Sequence, residues 1–279
     1  MTRSQIRSGE GAELEELAVE LAREAGRLIV EERPDRVTVA ETKSSATDVV
    51  TVMDQRAERL LRDRLAAARP DDGILGEEGE STSGSSGLTW VVDPIDGTVN
   101  YLYGLAAFAV SVAVVTGDPT TPGAWEPVAA AVDHPVAGET FHARAGGGSF
   151  VSSAAGSPVG LRANHVDRLD RALIGTGFGY RAEDRRRQGA VVADLLPHVR
   201  DIRRAGSAAL DLCHVAAGRL DGYYESGLNP WDLAGGQLVL TEAGGRVSGL
   251  HGAPPSRDMV IAAGPALHPL LRDAVDTRH

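Results

Sequence analysis

The chain has 279 residues, 42% of them hydrophobic, and a formal net charge of −11. That size can bury one large core or two closely packed lobes, and the acidic balance argues against a nucleic-acid or anionic-membrane surface, where a basic footprint is expected. The single cysteine, Cys213, excludes an intramolecular disulfide and makes a reducing compartment the default. The N-terminus carries Arg3, Arg7, Glu10 and Glu13 and no apolar stretch, so it does not read as a signal peptide. No run approaches the roughly 18 apolar residues of a membrane span. A cytoplasmic location is expected.

Leu14, Leu17, Leu21, Leu28 and Ile29 recur at helical spacing and predict a helix over 13–33, stopped by Pro34. Residues 36–53 read as polar loop around Lys43-Ser44-Ser45, followed by Asp48-Val49-Val50-Thr51. Asp54 is the expected cap of a second helix, with Leu60, Leu61 and Leu65 facing inward and an end near Pro70. Ile74-Leu75-Gly76 predicts a short strand, and the Ser/Gly-rich segment 79–88 a mobile loop. Strands are predicted at 89–93, 107–116, 127–133, 139–144 and 148–151, spaced as an antiparallel meander. Gly146-Gly147-Gly148 reads as a hairpin turn, since no Lys-Ser/Thr follows it as a phosphate loop requires. Farther on come strand 172–175, helix 183–197, strand 201–202, a helix from Ser207 to Ala217, strand 222–225, a helix from Trp231 to Ala243, and strands near 246–248 and 259–262. Such alternation predicts a layered α/β unit. Cys213 shares helical spacing with Leu210 and reads as buried packing.

The chemistry is concentrated in Trp90-Val91-Val92-Asp93-Pro94-Ile95-Asp96-Gly97-Thr98. A buried strand that ends in two carboxylates needs positive charge beside it. A hard divalent cation such as Mg²⁺ takes oxygen ligands of this kind. The Gly-Thr step offers backbone N–H groups and a hydroxyl to a phosphate. Glu77, Glu225 and Asp232 also sit at element junctions, and Asp48 is a sixth acidic candidate. Alone, Asp232 would be an ordinary helix N-terminal carboxylate, and Glu77 and Glu78 a solvated turn. Asp93 and Asp96 together resist a purely structural explanation.

Three ordered segments carry a resemblance. Gly76-Glu77-Glu78, the Trp90–Thr98 run, and Trp231-Asp232-Leu233-Ala234-Gly235-Gly236 continuing to Glu242-Ala243-Gly244-Gly245 resemble the motifs of the inositol monophosphatase family, which are Mg²⁺-dependent, lithium-sensitive phosphatases. The match spans roughly residues 13 to 265. It implies an αβαβα sandwich, with an N-terminal lobe over about 1–165 and a C-terminal lobe over about 166–279 supplying Asp232 and Glu225. It implies one cation on Glu77, Asp93 and the carbonyl of Ile95, and a second on Asp93, Asp96 and Asp232. Glu77 would help hold a weaker third through water, making about two to three Mg²⁺ per site. Asp48 and Thr98 would orient the attacking water, with Glu77 in the same catalytic group. Asp96, Gly97, Thr98, Ser207, Ala208, Glu225 and Asp232 would contact the substrate, Glu225 through a polyol hydroxyl. A homodimer is implied too.

Val99 follows the Asp-Gly-Thr, as in the inositol-phosphate branch. The histidinol-phosphate and 3′-phosphoadenosine 5′-phosphate branches more often carry Lys there. Those two esters and fructose 1,6-bisphosphate remain alternative substrates. A regulatory binding protein on the same fold is the non-enzymatic alternative. The expected function is Mg²⁺-dependent hydrolysis of myo-inositol 1-phosphate, with no nucleic-acid or membrane partner.

Overall fold

A computed structural model describes residues 8–34, 37–42, 49–153 and 156–278. Helix α1 (Ser8–Glu31) buries Leu14, Ala18, Leu21, Ala22, Ala25 and Ile29 along one face, the three- and four-residue spacing of an amphipathic helix. Strands β1 (Val39–Thr42) and β2 (Val49–Thr51) form a small antiparallel pair that the polar composition of this stretch concealed. Helix α2 (Val52–Ala68) is capped by Thr51, not by Asp54 as expected; Asp54 sits three residues in and closes a capping box with the Thr51 backbone.

Strands β3 (Gly73–Gly76), β4 (Leu88–Asp96), β5 (Ala109–Gly117), β6 (Trp125–His134), β7 (Glu139–Arg144), β8 (Gly148–Ser153) and β9 (Val159–Gly160) form one seven-stranded sheet in chain order. β3 runs parallel to β4, and the rest is the expected antiparallel meander. The Ser/Gly-rich segment expected to be mobile is pinned: Thr82 and Ile74 exchange two backbone hydrogen bonds of 2.8 Å, and Ser85 and Ser86 donate to the Asp71 carbonyl. Between β4 and β5, the turn after Gly97 is the short helix α3 (Thr98–Tyr103).

A second, five-stranded sheet has the order β11-β10-β12-β14-β13. It uses β10 (Leu173–Thr176), β11 (Asp201–Arg203), β12 (Gly222–Glu225), β13 (Arg246–Ser248) and β14 (Val260–Ala263). Helices α4 (Ala182–Leu195), α5 (Ala208–Ala216), α6 (Pro230–Glu242) and α7 (His268–Asp276) complete the fold; α7 was not foreseen.

Side-chain alternation places these elements in five layers. On β5, Val110, Val112 and Val114 pack with α1 and α2, while Ala109, Ala113 and Val115 pack with α5 and α6. On the second sheet, Tyr223, Val260 and Ala262 face α5 and α6, while Tyr224, Ile261 and Ala263 join α4 and α7. The order is therefore α1/α2, seven-stranded sheet, α5/α6, five-stranded sheet, α4/α7. Sheets covered on both faces explain why β4, β5 and β6 read as near-continuous apolar runs. Among the described residues no helix is long and apolar enough to cross a membrane.

Candidate metal centre and active-site cleft

Asp93 and Asp96 are three apart on one strand, which simple alternation would send to opposite faces. The register resolves this. Asp93 pairs with Ser111 and Asp96 with Ala109, so β4 holds one residue more than β5. This bulge falls at Pro94, which has no N–H to give the ladder, and it turns both acids to the same side. Oxygens of Asp93, Asp96 and Asp232 lie within 4.8 Å of one another. Gly97 then takes φ +100°, and a Cβ there would press within 2.9 Å of the Ala107 carbonyl.

Each carboxylate is aimed by a local device. Asp93 Oδ1 accepts the Ile95 N–H at 3.0 Å, and its Oδ2 is buried with no hydrogen-bond partner. Asp96 Oδ2 accepts from Ser207 Oγ at 2.6 Å and from the Ala209 N–H at 2.7 Å. Asp232 Oδ2 accepts the Asn229 N–H at 2.6 Å in the capping box of α6. The helix-cap role and the cluster role thus coexist in one side chain.

Glu77 follows β3, and its charge raises the pKa of Asp93. The turn carrying Glu77 rests on Glu58 of α2, a buried carboxylate that accepts the N–H groups of Glu78 and Gly79 at 2.7 Å each and pairs with Arg62 at 2.7 Å. Gly76 leaves room for this, because a Cβ would come within 2.5 Å of the Glu58 carboxylate. Glu58 had no sequence signal beyond its place on a helix.

The electrostatics are those of a cation site. Burial first, then repulsion from Glu77, Asp96 and Asp232, pushes Asp93 well above the carboxylate range. Asp232 is pushed well above it by burial and by Glu77 and Asp96. Asp96 rises to about 6, burial outweighing its bonds to Ser207 and Ala209. An unpartnered buried Asp93 oxygen among converging hard donors, with no His or Cys in the cluster, fits a Mg²⁺-type ion.

Thr98 Oγ1 lies 3.1 Å from both Asp54 Oδ1 and the Ile95 carbonyl. A hydroxyl carries one proton, so donation to Asp54 leaves the Ile95 carbonyl available as a ligand. Asp54 Oδ2 meanwhile accepts from the Thr51 N–H and hydroxyl. Burial lifts the Asp54 pKa to about 6, against its bonds to Thr51. Asp48, the partner of Thr98 that the resemblance implies, lies outside the described residues. Asp54 was legible only as a capping residue.

A cleft of about 470 Å³ opens between the two sheets, with Glu77, Asp96, Gly97, Ala208, Glu225 and Asp232 on its walls and Arg181, Arg204 and Arg257 also lining it. Ser207 does not face it. That side chain is 1% exposed and spends its hydroxyl on Asp96 and on the N-cap of α5. Its neighbours Gly206 and Ala208 form the wall instead. Glu225 accepts from the Tyr223 hydroxyl, and burial raises it to about 7. Beneath it Asp211, also unanticipated, is raised to about 8 by burial and by the charges of Glu225 and Asp96.

Fold and site together define a layered α/β protein with a carboxylate cluster that could hold a metal ion. The chain belongs to the inositol monophosphatase family, whose profile matches residues 10–279. It is 46% identical over 252 residues to a Mycobacterium bovis protein named inositol-1-monophosphatase, covering 85% of this chain and 84% of that one. It is 39% identical over 240 residues to the Escherichia coli Nus factor SuhB, covering 85% of each. The solved structure of Mycobacterium tuberculosis SuhB superposes with a TM-score of 0.78 at 43% identity, covering 96% of this chain and 98% of that one. Membership places this chain in a phosphatase family whose members act on small phosphate compounds.

Proposed function

We propose that the protein hydrolyses the phosphomonoester of a small polyol, myo-inositol 1-phosphate foremost, with Mg²⁺ as its metal. The observation that carries the reading is the buried, unpartnered Asp93 Oδ2 at the centre of the Asp93–Asp96–Asp232 cluster, beside a cleft that also holds Glu225. Glu77, Asp93 and the Ile95 carbonyl would hold one ion, Asp93, Asp96 and Asp232 another, and Glu77 would assist a third. When bound, such ions offset the carboxylate charge, polarise the phosphoryl oxygens and lower the pKa of the attacking water.

The chain's own residues supply position and proton transfer. Thr98 Oγ1 orients the attacking water and passes its proton toward Asp54 Oδ1, with Asp48 serving the same hydroxyl in the resemblance-based assignment. The Gly97 and Thr98 N–H groups face the phosphate. Glu225 accepts from a polyol hydroxyl, and Ala208 shapes the wall. In this reading residues 1–279 are one unit, its N-terminal lobe holding most ligands. Cytoplasmic location, lithium inhibition and a homodimer belong to the same proposal.

The test is phosphate release from inositol 1-phosphate, histidinol phosphate, fructose 1,6-bisphosphate and 3′-phosphoadenosine 5′-phosphate, with Mg²⁺ and with EDTA. Mg²⁺-dependent preference for inositol 1-phosphate supports the reading; preference for another ester overturns the substrate and keeps the chemistry. The Nus-factor name of the E. coli relative favours a second reading, a regulatory binding role. A partner protein retained by an inactive Asp93→Asn variant would support it.

A further inference from the structure

We infer that Tyr223, with the glycines Gly175 and Gly177 opposite it, is a positioning support for Glu225 that sets polyol specificity and takes no part in phosphoryl transfer. The inference rests on the phosphatase reading above and goes beyond it by assigning what holds the substrate-facing carboxylate in place.

The support is written into strand pairing. β10 and β12 run parallel, with Gly175 beside Tyr223 and Thr176 beside Tyr224. Alternation puts Gly175 and Gly177 on the same face as Tyr223 and Glu225. That face looks toward α5 and α6, where Tyr223 is fully buried. Both glycines are empty where a side chain would stand. A Cβ on Gly177 would overlap the Glu225 carboxylate itself, and a Cβ on Gly175 would come within 3.2 Å of the Tyr223 ring and 2.9 Å of Leu220. The missing side chains of β10 are the space that the side chains of β12 occupy.

A glutamate carboxylate turns easily about its terminal torsion. Here Tyr223 donates its hydroxyl to Oε2, and Gly177 stands beside the same group. Oε1 is left for a ligand in the cleft, where Glu225 is a lining residue. A phenol that stays protonated suits this task. Burial, with Glu225 and Asp211 nearby, holds Tyr223 well above its usual range, so it remains a donor throughout neutral pH. Of the acids Tyr223 feels, Asp96 of the cluster acts most weakly, while its hydroxyl bonds Glu225 directly, so its influence passes through Glu225.

The experiment compares inositol 1-phosphate with phenyl phosphate, an ester that has no hydroxyls to offer Glu225, both with Mg²⁺. In Tyr223→Phe the KM for inositol 1-phosphate should rise about five- to tenfold, a lost bond to a charged group felt at second hand. Its kcat, and both constants for phenyl phosphate, should stay within about twofold. Gly177→Ala should show the same selectivity more strongly, its KM ratio between the two esters moving further than in Tyr223→Phe, and it carries the test if Tyr223→Phe fails to fold. Equal losses on both esters, or none on either, would overturn the inference while leaving the phosphatase reading intact. If the unsubstituted enzyme releases no phosphate from either ester, the phosphatase reading fails and this inference falls with it, before any variant is made.

Discussion

Two buried acidic sites in this molecule behave in opposite ways. Glu15 of α1 is 6% exposed, yet its pKa is lowered. Burial pushes it up, but His142 at 2.7 Å and Arg144 at 2.6 Å more than reverse that. Asp93 is 1% exposed and its pKa is driven well above normal, first by burial and then, with no cation to offset it, by Glu77, Asp96 and Asp232. The first site brought its cations along in the chain; the second did not. Burial of an acid is therefore no sign of function in itself. What distinguishes a working centre is a buried carboxylate whose charge the protein leaves unbalanced.

The sharpest break between the two sites is Asp93→Asn. It should lower kcat on inositol 1-phosphate by at least about a thousandfold, by removing a carboxylate that would hold the proposed cations. In EDTA the same variant should melt higher than the parent, since one member of a repelling cluster is gone. A lower melting temperature in EDTA would mean that the cluster is not under electrostatic strain.

Next in size is the proton path. Thr98→Val keeps the shape and removes the hydroxyl bonded to Asp54, and should lower kcat about a hundredfold with little change in KM. A variant that retains parental kcat would detach Thr98 from the chemistry.

Glu15→Gln should do the reverse of Asp93→Asn. It breaks a satisfied pair and should cost about 2 kcal/mol of stability, read from urea unfolding, with kcat untouched. An activity loss as large as its stability loss would blur the distinction between the sites.

The smallest effect is in pH. Asp96, Glu225 and Asp211 have folded pKa values of about 6, 7 and 8, all above those of the unfolded chain. Between about pH 4 and pH 8 the folded state holds protons that the unfolded state has lost, so their contribution is full at the acid end and falls as pH rises. Glu15 acts in the other direction, its contribution present above the unfolded value and lost as pH falls. Metal-free protein should thus lose melting temperature from pH 5 to 8, and Mg²⁺ should restore more at pH 8 than at pH 5. An equal Mg²⁺ gain at both pH values would contradict the assignment of Asp96 as a cation ligand.

Much of this was legible in the chain. The apolar periodicity of α1, the meander and the order of the three acidic segments can each be read from local residue types, because period and turn chemistry are local properties. So could the identities of Glu77, Asp93, Asp96 and Asp232, since acids at strand and helix ends stand out against apolar neighbours. Other features could not. Asp54 carries the same Thr-x-x-Asp signature whether it merely caps a helix or also holds Thr98, and 44 positions separate the two partners. Ser207, a substrate contact by family resemblance and an N-cap by residue type, gives its hydroxyl to Asp96 across 111 positions, which no local pattern shows. Glu58 and Tyr223 gave no signal at all.

The division has a physical cause. Sequence by itself determined which residues could form each element, and which acids the chain places at element ends. Tertiary structure alone decided where those acids point: the one-residue bulge at Pro94, the capping bonds of Asp232, the platform of Glu58 and the glycine faces opposite Tyr223 and Glu225. Orientation depends on register and on close approach between distant segments, and neither is encoded within one turn or one strand.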